Sequence, residues 1–233
     1  MSGDMEARER VAELRVQGLT PKQIARTLGM RPAEVAEIVR AHAAAQAATT
    51  PAPRVLESLI SPGWSAGLGL DGNANAWRDL DRQSSDSQGL VSVLIAREHR
   101  QANVSVCGYL VDVFCLGLKD ALGPRAMSAA EYPEFASRYF QSFADAPIRV
   151  PIELAQALVI GAVEYARALG FEPHRDFERA RPHLGDWNGP SPIVFGDRGR
   201  PHYISGPHDD PMRVIATLRR TVGDGKFITT ILG

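Results

Sequence analysis

Histidine and carboxylate chemistry is concentrated toward the C-terminal end of the chain. Four Pro-His pairs, Pro173-His174, Pro182-His183, Pro201-His202 and Pro207-His208, share that stretch with Asp176, Asp209 and Asp210. Imidazoles and carboxylates hold a metal or move protons when several converge on one centre. His174, Asp176, His202, His208 and Asp209 are therefore the candidate catalytic set of a metal-assisted hydrolase or nuclease. None of them shows a compact zinc spacing such as H-E-x-x-H or C-x-x-C, so spacing defines neither a metal nor any other cofactor. Each also has a structural reading. Asp210 before Pro211 suits a helix N-cap, His202 falls in a strand-like run, and His174-Arg175-Asp176 follows a helix end.

Two glycine motifs invite a catalytic reading and lack its context. Gly63-Trp64-Ser65-Ala66-Gly67 matches G-x-S-x-G, but a nucleophile elbow needs a strand directly before it and a helix directly after. Gly67-Leu68-Gly69-Leu70-Asp71-Gly72 matches G-x-G-x-x-G without a readable strand leading into its first glycine. A glycine-rich loop accounts for both. Cys107 and Cys115 fall in an apolar run and read as buried free thiols.

Recognition of duplex DNA is the other chemistry on offer, between Gly18 and Arg40. Thr20 is a good N-cap, Pro21 fits the first helical position and Gln23 completes a capping box. Ile24, Ala25 and Leu28 form one apolar stripe, and Gly29 ends the helix in a left-handed conformation. Pro32 opens the next helix, with Val35, Ile38 and Val39 on its inner face, and Ala7, Val11 and Leu14 give a preceding helix its own. The pattern resembles the tri-helical helix-turn-helix of bacterial regulators at Gly18, Leu19, Thr20, Ile24, Ala25, Leu28, Gly29, Val35 and Ile38. That resemblance implies a third helix presented to the major groove. The expected DNA-binding residues are Lys22, Arg26, Arg31, Ala33, Glu34, Glu37 and Arg40, with the cations on phosphates and Arg31 able to reach a guanine. Residues 1–46 hold seven basic and six acidic side chains, a small surplus, so docking on another protein remains an alternative use of the same unit.

With 233 residues, the chain suits one small domain and one of ordinary size. Its formal net charge of −1 gives no whole-molecule field toward nucleic acid or membrane, so any DNA contact must be local. Lysine occurs only at Lys22, Lys119 and Lys226, which with abundant Ala points to a GC-rich bacterial genome. The charged N-terminus, MSGDMEARER, has no apolar core of a signal peptide. Glu153, Gln156, Glu164 and Arg167 mark the apolar segment from Val150 to Leu169 as a core helix and not a membrane span. The expectation is a reduced, cytoplasmic protein with no membrane partner.

Apolar periodicity fades after Ala41, placing a helix-turn-helix domain at 1–42, a linker at 43–54 and an α+β domain at 55–233. Residues 55–88 open with a short apolar stretch and read mostly as loop. LVSVLIARE and NVSVCGYLVDVFCLGL form a hairpin across EHRQA, and Ser128 with Glu131 caps a helix reaching about Phe143. Pro151 to Gly170 is a buried helix in which Gly161 lets another backbone approach. IVFGD and PHYIS form a second hairpin turned at Arg198-Gly199, followed by a helix from Asp210-Pro211 to Gly223 and a last strand, KFITTIL.

The fold class is thus α+β: a small all-α helix-turn-helix domain, then a mixed domain built on β-hairpins and a central buried helix. The C-terminal domain resembles a group of bacterial proteins with no known activity. The matching stretches are Leu110–Asp112, Leu116–Ala121, Gly161–Ala166, Leu169–Phe177 and Tyr203–Asp209. The leading reading is a transcriptional regulator that binds double-stranded DNA as a homodimer, with a sensing or assembly domain. The alternatives are the hydrolase and the protein-docking scaffold.

Overall fold

The computed structural model describes residues 2–49, 53–79, 88–100, 103–187 and 189–231. The chain divides by its contacts into two compact units, Met1–Ala52 and Pro53–Gly233.

The first unit is three helices, α1 (Ser2–Val16), α2 (Pro21–Leu28) and α3 (Pro32–Thr49). Local chemistry sets the middle one. The Thr20 backbone N–H donates to Gln23 Oε1 at 2.9 Å, and the Gln23 N–H donates back to Thr20 Oγ1 at 3.4 Å. Gly29 closes α2 at φ 65°, a conformation in which a side chain would be strained. Val11, Leu14, Ile24, Ala25 and Val35 form the buried core, with Leu19, Leu28, Met30, Ile38 and Val39 packed around it. The third helix continues beyond its expected end near Ala41. Alanine is the strongest helix former, and the Ala-rich run carries α3 through residues 43–49, which were expected in the linker. The rest of that expected linker falls partly on residues 50–52, outside the described residues.

The second unit is built on a five-stranded antiparallel sheet in the order β5-β4-β3-β1-β6. Its strands are β1 (Val55–Ile60), β3 (Leu90–Glu98), β4 (Asn103–Asp112), β5 (Gly117–Ser128) and β6 (Ile148–Arg149). The expected hairpin across residues 99–102 is present as β3–β4. Two expectations change. Residues 55–60 are a sheet strand between β3 and β6, and the run from Asn103 is two strands, because the chain turns back at residues 113–116. That turn is organised by Asp112, whose carboxylate accepts the N–H groups of Phe114, Cys115 and Leu116 at 2.9, 3.0 and 3.0 Å. Burial raises the Asp112 carboxyl, against the opposing pull of these three donors.

Both faces of the sheet are covered, so Val91 to Arg97 is buried without alternation. Ile60, Val93, Ile95, Tyr109 and Val111 face α5 (Ile152–Ala168), while Leu59, Leu94, Ala96, Val104 and Val106 face α4 (Tyr132–Tyr139). Helix α5 buries Leu154 through Val163, and burial of one such Leu stabilises by about 1.5–3 kcal/mol. Gly161 does permit a close approach, but by a side chain and a ring: an added Cβ would lie 2.5 Å from Ser191 Cβ and 2.7 Å from the Phe195 ring.

The remaining strands are short and pair differently from the expected second hairpin. Strand β7 (Ile193–Val194) pairs antiparallel with β2 (Gly69–Leu70), and β8 (His202–Ile204) pairs parallel with β9 (Ile228–Thr230). A tight turn does form at Arg198 and Gly199, both with positive φ, but it joins only Asp197 to Arg200. Between β5 and β7 lies the short helix α6 (Phe177–Ala180), and α7 (Pro211–Thr221) precedes β9. Asp210 caps α7 by accepting the Arg213 N–H at 3.1 Å. Among the described residues, no helix is long and apolar enough to cross a membrane.

Candidate functional site

Helix α7 presents Arg213, Ala216, Thr217 and Arg220 on one stripe, the i, i+3, i+4, i+7 spacing of a single helical face. Val214 and Leu218 anchor α7 in a buried cluster with Cys115, Leu169 and Tyr203. Across from the stripe run the start of β5, with Leu116, Leu118 and Lys119, and the segment leaving α5, with Gly170, Phe171, Glu172 and His174. Together they enclose a cleft of about 690 Å³, within the range of small-molecule sites.

The two ends of the cleft differ. At one, the His174 backbone N–H donates to the Leu118 carbonyl at 3.0 Å, which places His174 beside Lys119. Lys119 Nζ meets both Asp209 oxygens at 2.8 and 2.9 Å, and the Gly206 N–H donates to Asp209 Oδ2 at 2.8 Å. Burial alone would raise the Asp209 carboxyl. The ammonium and the N–H outweigh it and hold the group below the usual carboxylate range. Burial, with Asp209 nearby, pushes the Tyr203 phenol up to about 12, so it stays neutral in this corner. At the other end Gly170 lies against Thr217 and Thr221, close to Arg220. Glu172 pairs with Arg167 at 3.4 Å, and Asp209 is answered by Lys119. Arg213 and Arg220 are exposed, and their guanidinium groups meet no partner among the described residues.

Of the five expected catalytic residues, two line this cleft: His174 and Asp209. Asp176 Oδ2 lies 3.8 Å and Asp120 Oδ1 3.6 Å from His174 Nδ1, but neither carboxylate lines the cleft. His202 is held elsewhere, with Nδ1 3.3 Å from Asp197 Oδ2, Nε2 3.0 Å from Thr230 Oγ1 and its ring stacked on Phe114. His208 stands exposed in a turn. Among the described residues, no three His, Cys, Asp or Glu side chains could hold a metal ion together. Ser65 of the G-x-S-x-G motif is buried in a turn, where its Oγ accepts the Asp79 N–H at 3.1 Å. Cys107 and Cys115 are buried free thiols, and burial pushes the Cys107 thiol up to about 12.

The expected DNA-binding residues all fall on the surface of the three-helix unit. Ala33, Glu37 and Arg40 form one exposed stripe on α3, and Lys22 and Arg26 are exposed on α2. Arg31 and Glu34 bind each other. Glu34 takes the Arg31 backbone N–H at 3.1 Å and its Nε at 2.9 Å, which draws the Glu34 carboxyl below its ordinary range. Glu34 therefore caps its own helix, and Arg31 begins with its charge answered. Lys22, Arg26 and Arg40 meet no carboxylate among the described residues.

Arg213, Arg220 and Lys119 were not among the candidate residues. The start of α7 was readable from Asp210-Pro211, and with it the stripe of Arg213, Ala216, Thr217 and Arg220. What that stripe faces depends on contacts with segments about forty and a hundred residues away. No protein-family model, curated protein or solved structure matches the chain.

Proposed function

We propose that the chain binds double-stranded DNA through its three-helix unit and acts as a transcriptional regulator. The observation that carries this reading is the exposed α2–α3 surface, where Lys22, Arg26 and Arg40 keep cations unanswered by carboxylates among the described residues. Phosphate contacts need cations free to shed their counterions, and base contacts need a helix face that reaches the groove. The Ala33–Glu37–Arg40 stripe is such a face. A single unit of this size binds weakly, so the reading includes a homodimer engaging two half-sites about one helical turn apart.

The test is duplex binding by the full chain as a function of salt. Binding should fall steeply as salt rises, and Arg40→Ala should weaken it by about 1–3 kcal/mol if Arg40 reads a base edge. Arg31→Ala should cost less, because Arg31 must first leave Glu34. No duplex binding at low salt would overturn this reading in favour of docking on a protein, for which the answered Arg31–Glu34 pair already speaks. Metal-assisted hydrolysis has the weaker geometry, since His202 is held by Asp197 and Thr230 and His208 does not line the cleft with His174 and Asp209.

A further inference from the structure

We infer that the cleft beside α7 is a binding site for an elongated organic anion carrying acidic groups at both ends. The inference does not depend on DNA binding. Three observations support it. The first is the disposition of charge: Arg213 and Arg220 lie seven residues apart on one helical face, about 10 Å along the axis. Both guanidinium groups are unpartnered among the described residues, while Glu172 and Asp209 are already held by Arg167 and Lys119. The second is shape. The cleft is concave, about 690 Å³, and Leu116, Leu118, Phe171, Val214 and Ala216 supply apolar surface along its length. A ligand with charge only at one end would leave one arginine unanswered. One with no apolar centre would leave that surface wet.

The third observation is the asymmetry of the ends. Arg213 shares its end with Lys119 and His174, whereas Arg220 stands at the other with Gly170 and Thr217. The more highly charged group belongs at the Lys119–Arg213–His174 end, where a fork of N–H donors and an ammonium can share it. Asp209 answers the Lys119 charge, so Arg213 supplies the net charge at this end and Lys119 adds an N–H donor held in place. A second acidic group then pairs with Arg220. A bisphosphate and a long dicarboxylate both satisfy this arrangement, and they are distinguished by the probe.

Calorimetric titration of the full chain with hexane-1,6-diyl bisphosphate, hexyl phosphate, octanedioate and inorganic phosphate tests the inference. The bisphosphate or octanedioate should bind one per chain, at least tenfold more tightly than either single-ended anion. The better of the two identifies phosphate or carboxylate as the preferred group. Arg213→Ala and Arg220→Ala should each weaken binding of the bis-anion tenfold or more. Arg220→Ala should leave hexyl phosphate unchanged, because its single charge sits at the other end. Both substitutions replace an exposed side chain by a better helix former, and unchanged melting confirms the fold. Amide shifts at Lys119, Phe171 and Thr217 should accompany binding. Absence of binding by every probe at low salt would overturn the site. So would bis-anion binding that survives the Arg213→Ala/Arg220→Ala double variant, because the anion would then sit elsewhere, for instance on the three-helix cations.

Discussion

The two units place their unanswered cations on surfaces of opposite kind. In the three-helix unit, Lys22, Arg26 and Arg40 stand on exposed helix faces over a core that includes Val11, Leu14, Ile24, Ala25 and Val35. In the sheet unit, Arg213 and Arg220 look into a cleft walled by segments brought together from residues 116–119, 170–174 and 209–220. The first arrangement suits an extended polyanion, which offers phosphates along a surface. The second suits a small anion that can be enclosed. The difference follows from how each unit is held. Three short helices can order one another through near-neighbour contacts but enclose little. A sheet covered on both faces is rigid enough to support a concave site at its margin.

The sharpest way to break this contrast is to loosen the rigid half. Leu158 is fully buried in α5 at the centre of the larger core. Leu158→Ala should destabilise the second unit by about 2–5 kcal/mol, from lost burial and the cavity left behind. Thermal unfolding followed at Trp64, which lies in that same core, would report it. A variant that melts like the wild type would show that α5 does not hold the sheet unit together.

How legible the two halves were in the sequence follows the same division. Thr20, Pro21, Gln23 and Gly29 act within a few residues of themselves, so the capping box and the left-handed turn could be read directly. Asp210-Pro211 marked α7 for the same reason, and the composition of Ile152 to Ala168 marked α5. Pairing over distance was not readable. Val55–Ile60 carries no sign that it lies between β3 and β6, and nothing local shows that Asp112 folds β4 back into β5. The strands flanking Arg198-Gly199 promised a hairpin, but β7 pairs with β2 and β8 with β9. The expected histidine site failed in the same way. His202 and His174 are close in type and in sequence, but the sheet margins hold them with different partners. The cleft instead recruited Lys119 and the α7 arginines, whose meeting depends on contacts of long sequence range.

Acidity gives a second way to sharpen the contrast, through the half-buried His183 imidazole of the larger unit. His183 donates through Nε2 to the Ile95 carbonyl at 3.2 Å, while its own carbonyl accepts from Arg97 Nε at 2.7 Å. Burial, helped by the Arg97 charge, lowers its pKa from 6.5 to about 4. The unfolded chain therefore takes up a proton near pH 6.5 that the folded chain refuses until about pH 4. Stability contributed by neutral His183 is present above pH 6.5 and is lost as pH falls through that window, by on the order of 2 kcal/mol. His183→Gln should flatten this part of the pH–stability curve relative to wild type. Parallel slopes between pH 6.5 and 4 in the two proteins would mean that His183 is protonated as readily folded as unfolded.

The smallest expected effect tests whether the three-helix unit owes its order to local chemistry. Thr20→Ala removes the acceptor for the Gln23 N–H and the threonine half of the capping box, while leaving the Ile24, Ala25 and Val35 core untouched. Loss of such a cap costs about 1 kcal/mol. That is small beside the effect at Leu158, but it falls on a unit with few buried side chains to absorb it. The expected signature is a local one: faster amide exchange in α2 and the turn at Gly29, with the sheet unit unchanged. If the readings of both units hold, duplex binding should weaken with this variant while anion binding in the α7 cleft stays as it was. Equal losses of protection in α2 and in the β3–β4 core would show instead that the two units unfold together, and that the order of the helices is not set locally.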